Sequence, residues 1–200
     1  MSVATTSLIT VDEYLIFLGE GHNVKAERRA QAEQGINWAS IQVEDYLGRT
    51  LISGSSATEI FDGFATPHPD LVHFEYVTQQ APIIASPTPK LSVRSSSTWS
   101  DVTATTYTWD ATDGVIYFTD GNFFAAGRRN YRIVYDYGYA DTASVPNSIK
   151  QATCLLTKFG EVQAGSVGIA SAATGDGKNK SYTDGFPPMV KFMLNPYIRA

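Results

Sequence analysis

The chain has 200 residues, enough for one domain or for one domain that carries a sizeable insertion. Its net charge of −5 argues against a protein that binds nucleic acid by neutralising phosphates, and its single cysteine, Cys154, excludes an intrachain disulfide. No apolar run approaches the roughly 20 residues that span a bilayer, so we expect a soluble, non-secreted protein with no membrane partner.

The N-terminal quarter is predicted to form two helices. Thr10 and Glu13 have the spacing of a capping box, which predicts a first helix that ends near Gly19 and Gly21. A second, longer helix is expected at residues 24–47, because its second half carries a stripe of apolar residues.

From residue 57 onward the pattern changes to short strands separated by turns rich in Pro and Gly. Asp113-Gly114 is typical of a tight turn between two strands. The pattern predicts an antiparallel β domain inserted between helices. The predicted strands are residues 58–64, 71–77, 83–84, 90–95, 106–109, 115–119 and 129–137.

The chain after the β region is predicted to return to helix and then to end in an unusual apolar segment. Pro146 suits the first turn of a helix, because its fixed φ is helical and its missing N–H is not needed there. Residues 165–180, rich in Gly, Ala, Ser and Thr, predict a flexible loop or a surface excursion. Residues 186–199 are apolar and aromatic where chain ends are usually polar, so this segment either docks on a partner or packs back on its own helices.

Patterns typical of catalytic or metal sites are missing from the sequence. His22, His68 and His73 follow no zinc-ligand spacing, and residues 175–178 depart from a phosphate-binding loop. We expect no enzymatic activity, no cofactor and no metal ion.

Two groups of residues are candidates for contact with a partner. Trp99 and Trp109 form either a platform for sugars or part of a small domain's core. The second group lies in and beside a Gly-containing loop. It is interpreted either as an exposed partner-contact loop or as phenylalanine buried beneath a loop: Phe123, Phe124, Arg128 and Arg129.

The order of elements from residue 131 resembles that of one family. An alternating strand, Tyr131–Tyr139, is followed by Val145-Pro146 and a helix that contains Ile149 and Ala152. Together with an opening helix pair, this order resembles the head-to-tail connector (adaptor or head completion) proteins of tailed bacteriophages. Three shorter segments are also similar to that family: Ala81-Pro82-Ile83-Ile84, Asp113–Phe118 and Leu194-Asn195-Pro196-Tyr197.

Residue pattern and resemblance together predict an α+β fold. A small helical bundle, formed by residues 1–56 and 143–185, is expected to carry an inserted antiparallel β domain at residues 57–142. Residues 186–200 are expected to form an extended C-terminal arm.

The resemblance implies a structural protein of the virion neck, assembled in the cytoplasm of the bacterial host. It implies a ring of about twelve copies under the portal protein, joined below by a tail or stopper protein, through which double-stranded DNA passes without specific binding. The arm would bind the portal through Phe192, Leu194, Pro196, Tyr197 and Ile198. The alternative is a carbohydrate- or receptor-binding β module of a tail or fibre protein, with Trp99 and Trp109 as its platform.

Overall fold

The computed structural model describes residues 7–21, 23–52, 56–63, 75–119, 124–164, 171–173, 179–181 and 186–198. The fold is α+β, as predicted, and the chain divides into a helical unit (Met1–Gly48 and Thr142–Ala200) and a β unit (Arg49–Asp141). The helices are α1 (Val11–Phe17), α2 (Ala26–Leu47), α3 (Asn147–Ala164) and α4 (Pro188–Leu194). The strands are β1 (Ala57–Gly63), β2 (Glu75–Val77), β3 (Ile83–Ile84), β4 (Lys90–Ser95), β5 (Thr98–Asp101), β6 (Tyr107–Asp110), β7 (Val115–Phe118), β8 (Gly127–Tyr137), β9 (Ser171–Ala173) and β10 (Asn179–Ser181).

Helix α1 begins with the predicted capping box. The Thr10 hydroxyl accepts a hydrogen bond from the backbone N–H of Glu13 at 3.1 Å, and the Glu13 carboxylate accepts one from the N–H of Thr10 at 2.7 Å. Two otherwise unpaired backbone donors of the first turn are thereby satisfied. The buried side of the helix then packs on α2.

The two long helices, α2 and α3, form the framework of the helical unit. Helix α2 ends at Gly48, whose φ of 65° is the left-handed conformation that glycine adopts most easily. Helix α3 follows Pro146, as predicted, and packs against α2. One cluster of buried residues joins them to α1: Ile9, Val11, Tyr14, Leu15, Ala32, Ile36 and Cys154.

The described part of the β unit contains two antiparallel sheets. The larger sheet has the strand order β1-β8-β4-β5, with β3 also paired to β8, and the smaller has the order β2-β7-β6. Strand β8 is central because it pairs on both edges: Tyr131 lies opposite Phe61 of β1 and opposite Val93 of β4. Residues from both sheets share one core: Phe61, Ile83, Leu91, Tyr107, Ile116, Phe124, Tyr131, Ile133 and Tyr135.

Several elements differ from the sequence predictions. Strand β5 was not predicted, and of the predicted strand 71–77 the described part is β2, with residues 71–74 outside the described residues. Within the predicted flexible loop 165–180, β9 pairs with β10 in antiparallel register, and the rest of that loop lies outside the described residues.

The C-terminal segment is helical where an extended arm was predicted. Helix α4 is followed by a 3-10 turn at Asn195–Tyr197, and it packs on α3. The physical reason is the four-residue spacing of Val190 and Leu194, which places both side chains on one side of a helix, where both are fully buried. In the described ranges, none of the helices is long and apolar enough to cross a membrane.

Candidate interaction surfaces

The terminal helix α4 has one buried side and one apolar exposed side. Val190 and Leu194 are buried, whereas Met189 and Phe192 are 62% and 74% exposed. Met189 and Phe192 are three residues apart, so they lie next to each other on the outer side of the helix. Ile198, just beyond the 3-10 turn, is also 45% exposed.

Tyr46, near the end of α2, contacts one residue that precedes α4 in the sequence and one that follows it. Its ring stacks on that of Phe186 with centroids 4.9 Å apart, and its hydroxyl donates a hydrogen bond to the Oδ1 atom of Asn195 at 3.0 Å. Phe186 precedes α4 and Asn195 follows it. Tyr46 therefore fixes the position of α4 on the helical unit.

The five residues predicted to contact a portal protein have different environments. Phe192, Pro196 and Ile198 are exposed, Tyr197 is half-buried, and Leu194 is fully buried within the helical unit. Leu194 therefore anchors α4 to its own chain. Met189 was not predicted, although its spacing of three residues from Phe192 would have indicated it on a helix.

Phe124 lies in the core of the β unit. Of the two interpretations given for this residue, exposed or buried, the structure shows the buried one. Its ring meets Phe61 edge to face at 5.2 Å between centroids and Tyr131 at 5.0 Å. Phe123 lies outside the described residues, and Arg128 and Arg129 are exposed at the start of β8. The predicted contact loop thus retains two exposed arginines beside a buried phenylalanine.

The backbone that presents these arginines is held in an uncommon conformation. Arg129 has a φ of 51°, and its N–H donates a hydrogen bond to the Oδ1 atom of Asp62 at 2.6 Å. The Asn130 side chain accepts a hydrogen bond from the N–H of Gly63 at 2.7 Å and donates one to the carbonyl of Ala125 at 2.9 Å. These bonds stabilise an irregularity in the β1–β8 ladder.

Trp99 and Trp109 lie on different sheets. Trp109, on β6, packs against the core of the β unit. Trp99, on β5, is half-buried, and the Arg132 guanidinium lies over its ring at 4.9 Å from the centroid. The two tryptophans therefore lie on different sheets and have different neighbours.

The titratable side chains show no pattern of a metal or nucleophilic site within the described residues. No group of three or more His, Cys, Asp or Glu there is placed to hold a metal ion. His22, His68 and His73 lie outside the described residues. Burial raises the pKa of the Cys154 thiol to about 12, so this cysteine stays protonated and unreactive at neutral pH.

Comparison with known proteins points to one family and one kind of particle. A family model described as "head completion protein" matches residues 7–200. The fold is similar to a chain from the neck of an empty gene transfer agent (GTA) particle computed with C6 symmetry, with a TM-score of 0.57 and 15% identity over 100% of this chain and 93% of that chain. A chain from the neck of the native GTA particle, computed with C12 symmetry, gives a TM-score of 0.56 and 14% identity over the same shares.

A chain from the virion of the native GTA particle is similar to the same degree, with a TM-score of 0.57 and 15% identity over 100% of this chain and 93% of that chain. No curated protein matches the sequence. At these identities the structural likeness shows a common fold.

Proposed function

The chain belongs to the head completion protein family, structural proteins of the bacteriophage virion neck, and from that premise we propose that it is the adaptor between head and tail. About twelve copies form a ring under the portal protein, a number supported by the C12 symmetry applied to the similar GTA neck. The ring continues the DNA channel and provides the surface to which a tail or stopper protein attaches. It joins the particle during assembly in the host cytoplasm.

The contact with the portal is made by the terminal apolar face, which we define as Met189, Phe192, Pro196 and Ile198. The observation that carries this proposal is that Phe192 is 74% exposed on a helix whose opposite side is buried. A large apolar side chain held in water on a fixed helix is typical of a contact surface. In a ring the contact is repeated in every subunit, so a weak contact per subunit still gives a stable assembly.

Net charge is consistent with a channel that lets DNA pass. The chain carries a charge of −5, whereas DNA affinity comes mainly from Lys and Arg that neutralise phosphates. A ring of acidic subunits would hold DNA only weakly, as passage requires.

Point substitutions on the terminal apolar face test the portal contact. Deleting residues 186–200 would also remove Val190 and Leu194 from the core of the helical unit, so a deletion would confuse loss of contact with loss of folding. Phe192→Asp changes an exposed side chain, and we expect it to weaken binding to the purified portal protein at least about tenfold while the thermal midpoint stays unchanged.

Ile41→Asp is the matched control, because Ile41 is also an exposed apolar residue of a helix, at 56% exposure. We expect it to bind the portal like the unmodified chain. Unchanged portal binding by the Phe192→Asp variant would refute the proposed contact.

A nonsense mutation of the gene in its phage tests the role in the particle. The adaptor function predicts separate tails beside tail-less heads in electron micrographs of the lysate. Complete particles that fail only to adsorb would refute it and favour a receptor-binding module. Images of intact necks would count the copies in the ring.

A further inference from the structure

Strand β8 contains a bulge near its first residue. Phe61 of β1 pairs with Tyr131 and Gly63 pairs with Gly127, so one residue of β1 lies opposite three residues of β8. These residues are Asp62 on β1 and Arg128, Arg129 and Asn130 on β8. A bulge bends its strand and changes the direction in which the side chains point.

Close contacts fix the backbone of this bulge. The Asn130 side chain binds Gly63 on β1 and Ala125 in the preceding loop, and the N–H of Ala125 donates a hydrogen bond to the Tyr131 hydroxyl at 2.9 Å. A Cβ on Gly63 would overlap the carbonyl oxygen of Ala125, and a Cβ on Gly127 would lie 2.5 Å from Nδ2 of Asn130. The end of β1, the loop and the start of β8 are therefore packed too tightly for the bulge to shift.

Arg129 is held in this bulge against its backbone preference. Its φ of 51° is left-handed and costs free energy for any residue with a Cβ. The hydrogen bond from its N–H to Oδ1 of Asp62, at 2.6 Å, offsets part of the cost. Glycine would adopt this φ freely. An arginine kept at such a position is typical of a side chain that has a function.

The bulge differs from the rest of the outer face of the larger sheet in its charges. Arg128 and Arg129 are adjacent and exposed, and Asp62, also exposed, faces them. Elsewhere on this face strand alternation mixes charges of both signs: Lys90, Arg94, Arg132, Asp101 and Asp136. The bulge is therefore the place on this sheet where two neighbouring guanidinium groups meet solvent together.

Carboxylates of a folded protein suit this arrangement better than DNA phosphates. Arginine binds a carboxylate through two parallel hydrogen bonds, and this geometry rewards a guanidinium group whose backbone is fixed. Binding to the DNA backbone is independent of sequence and needs only positive charge, without a fixed position. The Asp62 carboxylate repels a phosphate, whereas it can accept a hydrogen bond from a protein donor.

We propose that the arginine bulge, defined as Arg128 and Arg129 with Asp62, binds acidic side chains of the protein that attaches on the tail side of the ring. The inference rests on the proposed adaptor function and assigns its second contact, because the terminal apolar face of the helical unit binds the portal. One contact is apolar and the other ionic, and they belong to different units, so the two partners do not compete for one surface. Repetition around the ring strengthens a modest contact per subunit.

Charge reversal of the bulge tests this contact in particles. Arg128→Glu with Arg129→Glu is supplied from a plasmid to the phage that carries the nonsense mutation. We expect heads that carry the ring but no tail, and a yield of complete particles lowered at least about tenfold. Lys25→Glu with Lys90→Glu is the matched control, because it makes the same change in net charge at exposed residues outside the bulge. It should give complete particles at the unmodified yield.

Arg129→Gly separates the contact from folding. Glycine relieves the left-handed backbone, so the thermal midpoint of the purified full-length protein should not fall. Loss of the guanidinium group should still lower the yield of complete particles at least about threefold. A side chain with only a structural role would lower the midpoint and the yield together. Circular dichroism confirms that each variant is folded.

Four results would overturn the inference. Tails attached as usual to ring-bearing heads of the double variant would refute the contact, and equal loss of tails in the control would assign the effect to net charge. Heads of the double variant that lack ring density would place the bulge inside the ring or against the portal. Retardation of a DNA duplex that Arg128→Glu with Arg129→Glu abolishes, with tails still attached, would make DNA the partner. Ring density on heads made with the unmodified chain tests the proposed function separately.

Discussion

The hydroxyl of Tyr135 on β8 donates a hydrogen bond to the buried carboxylate of Glu59 on β1. Glu59 is 8% exposed, and it also accepts hydrogen bonds from the Tyr76 hydroxyl at 2.7 Å and from the N–H of Gln79 at 2.9 Å. A carboxylate is tolerated at such burial when donors satisfy its oxygens. The bonds of Glu59 join the two sheets, because Tyr76 lies on β2 and Tyr135 on β8.

Glu59→Leu is expected to destabilise the protein by about 2–4 kcal/mol, because it removes the acceptor of two hydroxyls and one N–H, of which the Tyr135 hydroxyl is buried. Glu59→Gln retains one acceptor oxygen, so its effect should be smaller, about 1–2 kcal/mol. The free energy of unfolding in urea measures both. A Glu59→Leu variant as stable as the unmodified chain would contradict this reading of the network.

Stability is expected to fall in alkali because of Tyr76 and Tyr135. Burial and then the hydrogen bond to Glu59 raise the pKa of both hydroxyls above their ordinary value of 10.0. In the unfolded chain the hydroxyls ionise near that value, whereas in the folded chain they keep their protons. Unfolding therefore releases protons above about pH 10, and the free energy of unfolding decreases as pH rises through this range.

Urea unfolding at constant ionic strength from about pH 8 to about pH 11 measures the decrease. A variant with Tyr76→Phe and Tyr135→Phe lacks both hydroxyls, so its stability should change less with pH over the same range, although its stability at pH 8 is lower. Equal slopes for the two proteins would show that these hydroxyls do not cause the alkaline loss.

The sequence predicted elements whose cause is local. The capping box at Thr10 and Glu13 is complete within four residues, and the turn residue Pro146 determines where α3 begins. Strand β8 was predicted because alternation over the seven residues Tyr131–Tyr137 is a strong pattern. Strand β5 has four residues and is ordered by pairing with β4, so its own sequence gave little indication of it.

Candidate sites were harder to predict, because exposure depends on contacts distant in sequence. Phe124 is buried by Phe61 and Tyr131, and Leu194 by the helical unit, and neither environment can be read from neighbouring residues. The contact of Arg132 with Trp99 becomes visible only when strand order places β8 beside β4 and β4 beside β5. Local spacing predicts periodicity, whereas strand order and packing decide which side of an element meets solvent.

Helices α2 and α3 contact each other closely at Gly35 and at Gly160, but alanine is expected to be tolerated differently at these two positions. A Cβ on Gly35 would lie 2.9 Å from Cγ2 of Thr157, and a Cβ on Gly160 would lie 2.7 Å from Cζ3 of Trp38. Thr157 is fully buried, and its hydroxyl donates a hydrogen bond to the carbonyl of Thr153 at 2.8 Å, so it has little freedom to move. The Trp38 ring is 43% exposed and can turn toward solvent.

Gly35→Ala is therefore expected to destabilise the protein by about 1–2 kcal/mol, because overpacking exceeds the gain of about 1 kcal/mol in helix propensity. Gly160→Ala should change stability by less than about 0.5 kcal/mol, since a shift of the ring offsets the same gain. Thermal and urea unfolding compare the two variants. If Gly160→Ala were the more damaging change, the Trp38 ring would have to be the more rigid neighbour.

Acid should weaken the join between α1 and α3 through Glu13. The Lys150 ammonium donates a hydrogen bond to the Glu13 carboxylate at 2.8 Å. Burial by itself raises the pKa of Glu13, but the bonds from Lys150 and Thr10 together outweigh it and hold the pKa below the ordinary 4.5. A lowered pKa means that the unfolded chain takes up the proton first. The stabilisation is therefore present above about pH 4.5 and is lost as pH falls through the folded pKa.

Lys150→Met removes the cation and is expected to lower stability at pH 7 by about 0.5–1 kcal/mol, a small value because water screens the half-exposed Glu13. The variant should also lose less stability than the unmodified chain between about pH 5 and about pH 3. Lys158→Met is the matched control, because it also removes a lysine of α3 that lies near a glutamate. The Nζ atom of Lys158 is 3.9 Å from Oε2 of Glu161, and its side chain is half exposed. It should leave unchanged the acid slope, which is the loss of unfolding free energy between about pH 5 and about pH 3. An acid slope as steep in Lys150→Met as in the unmodified chain would mean that other carboxylates, and not Glu13, cause the loss.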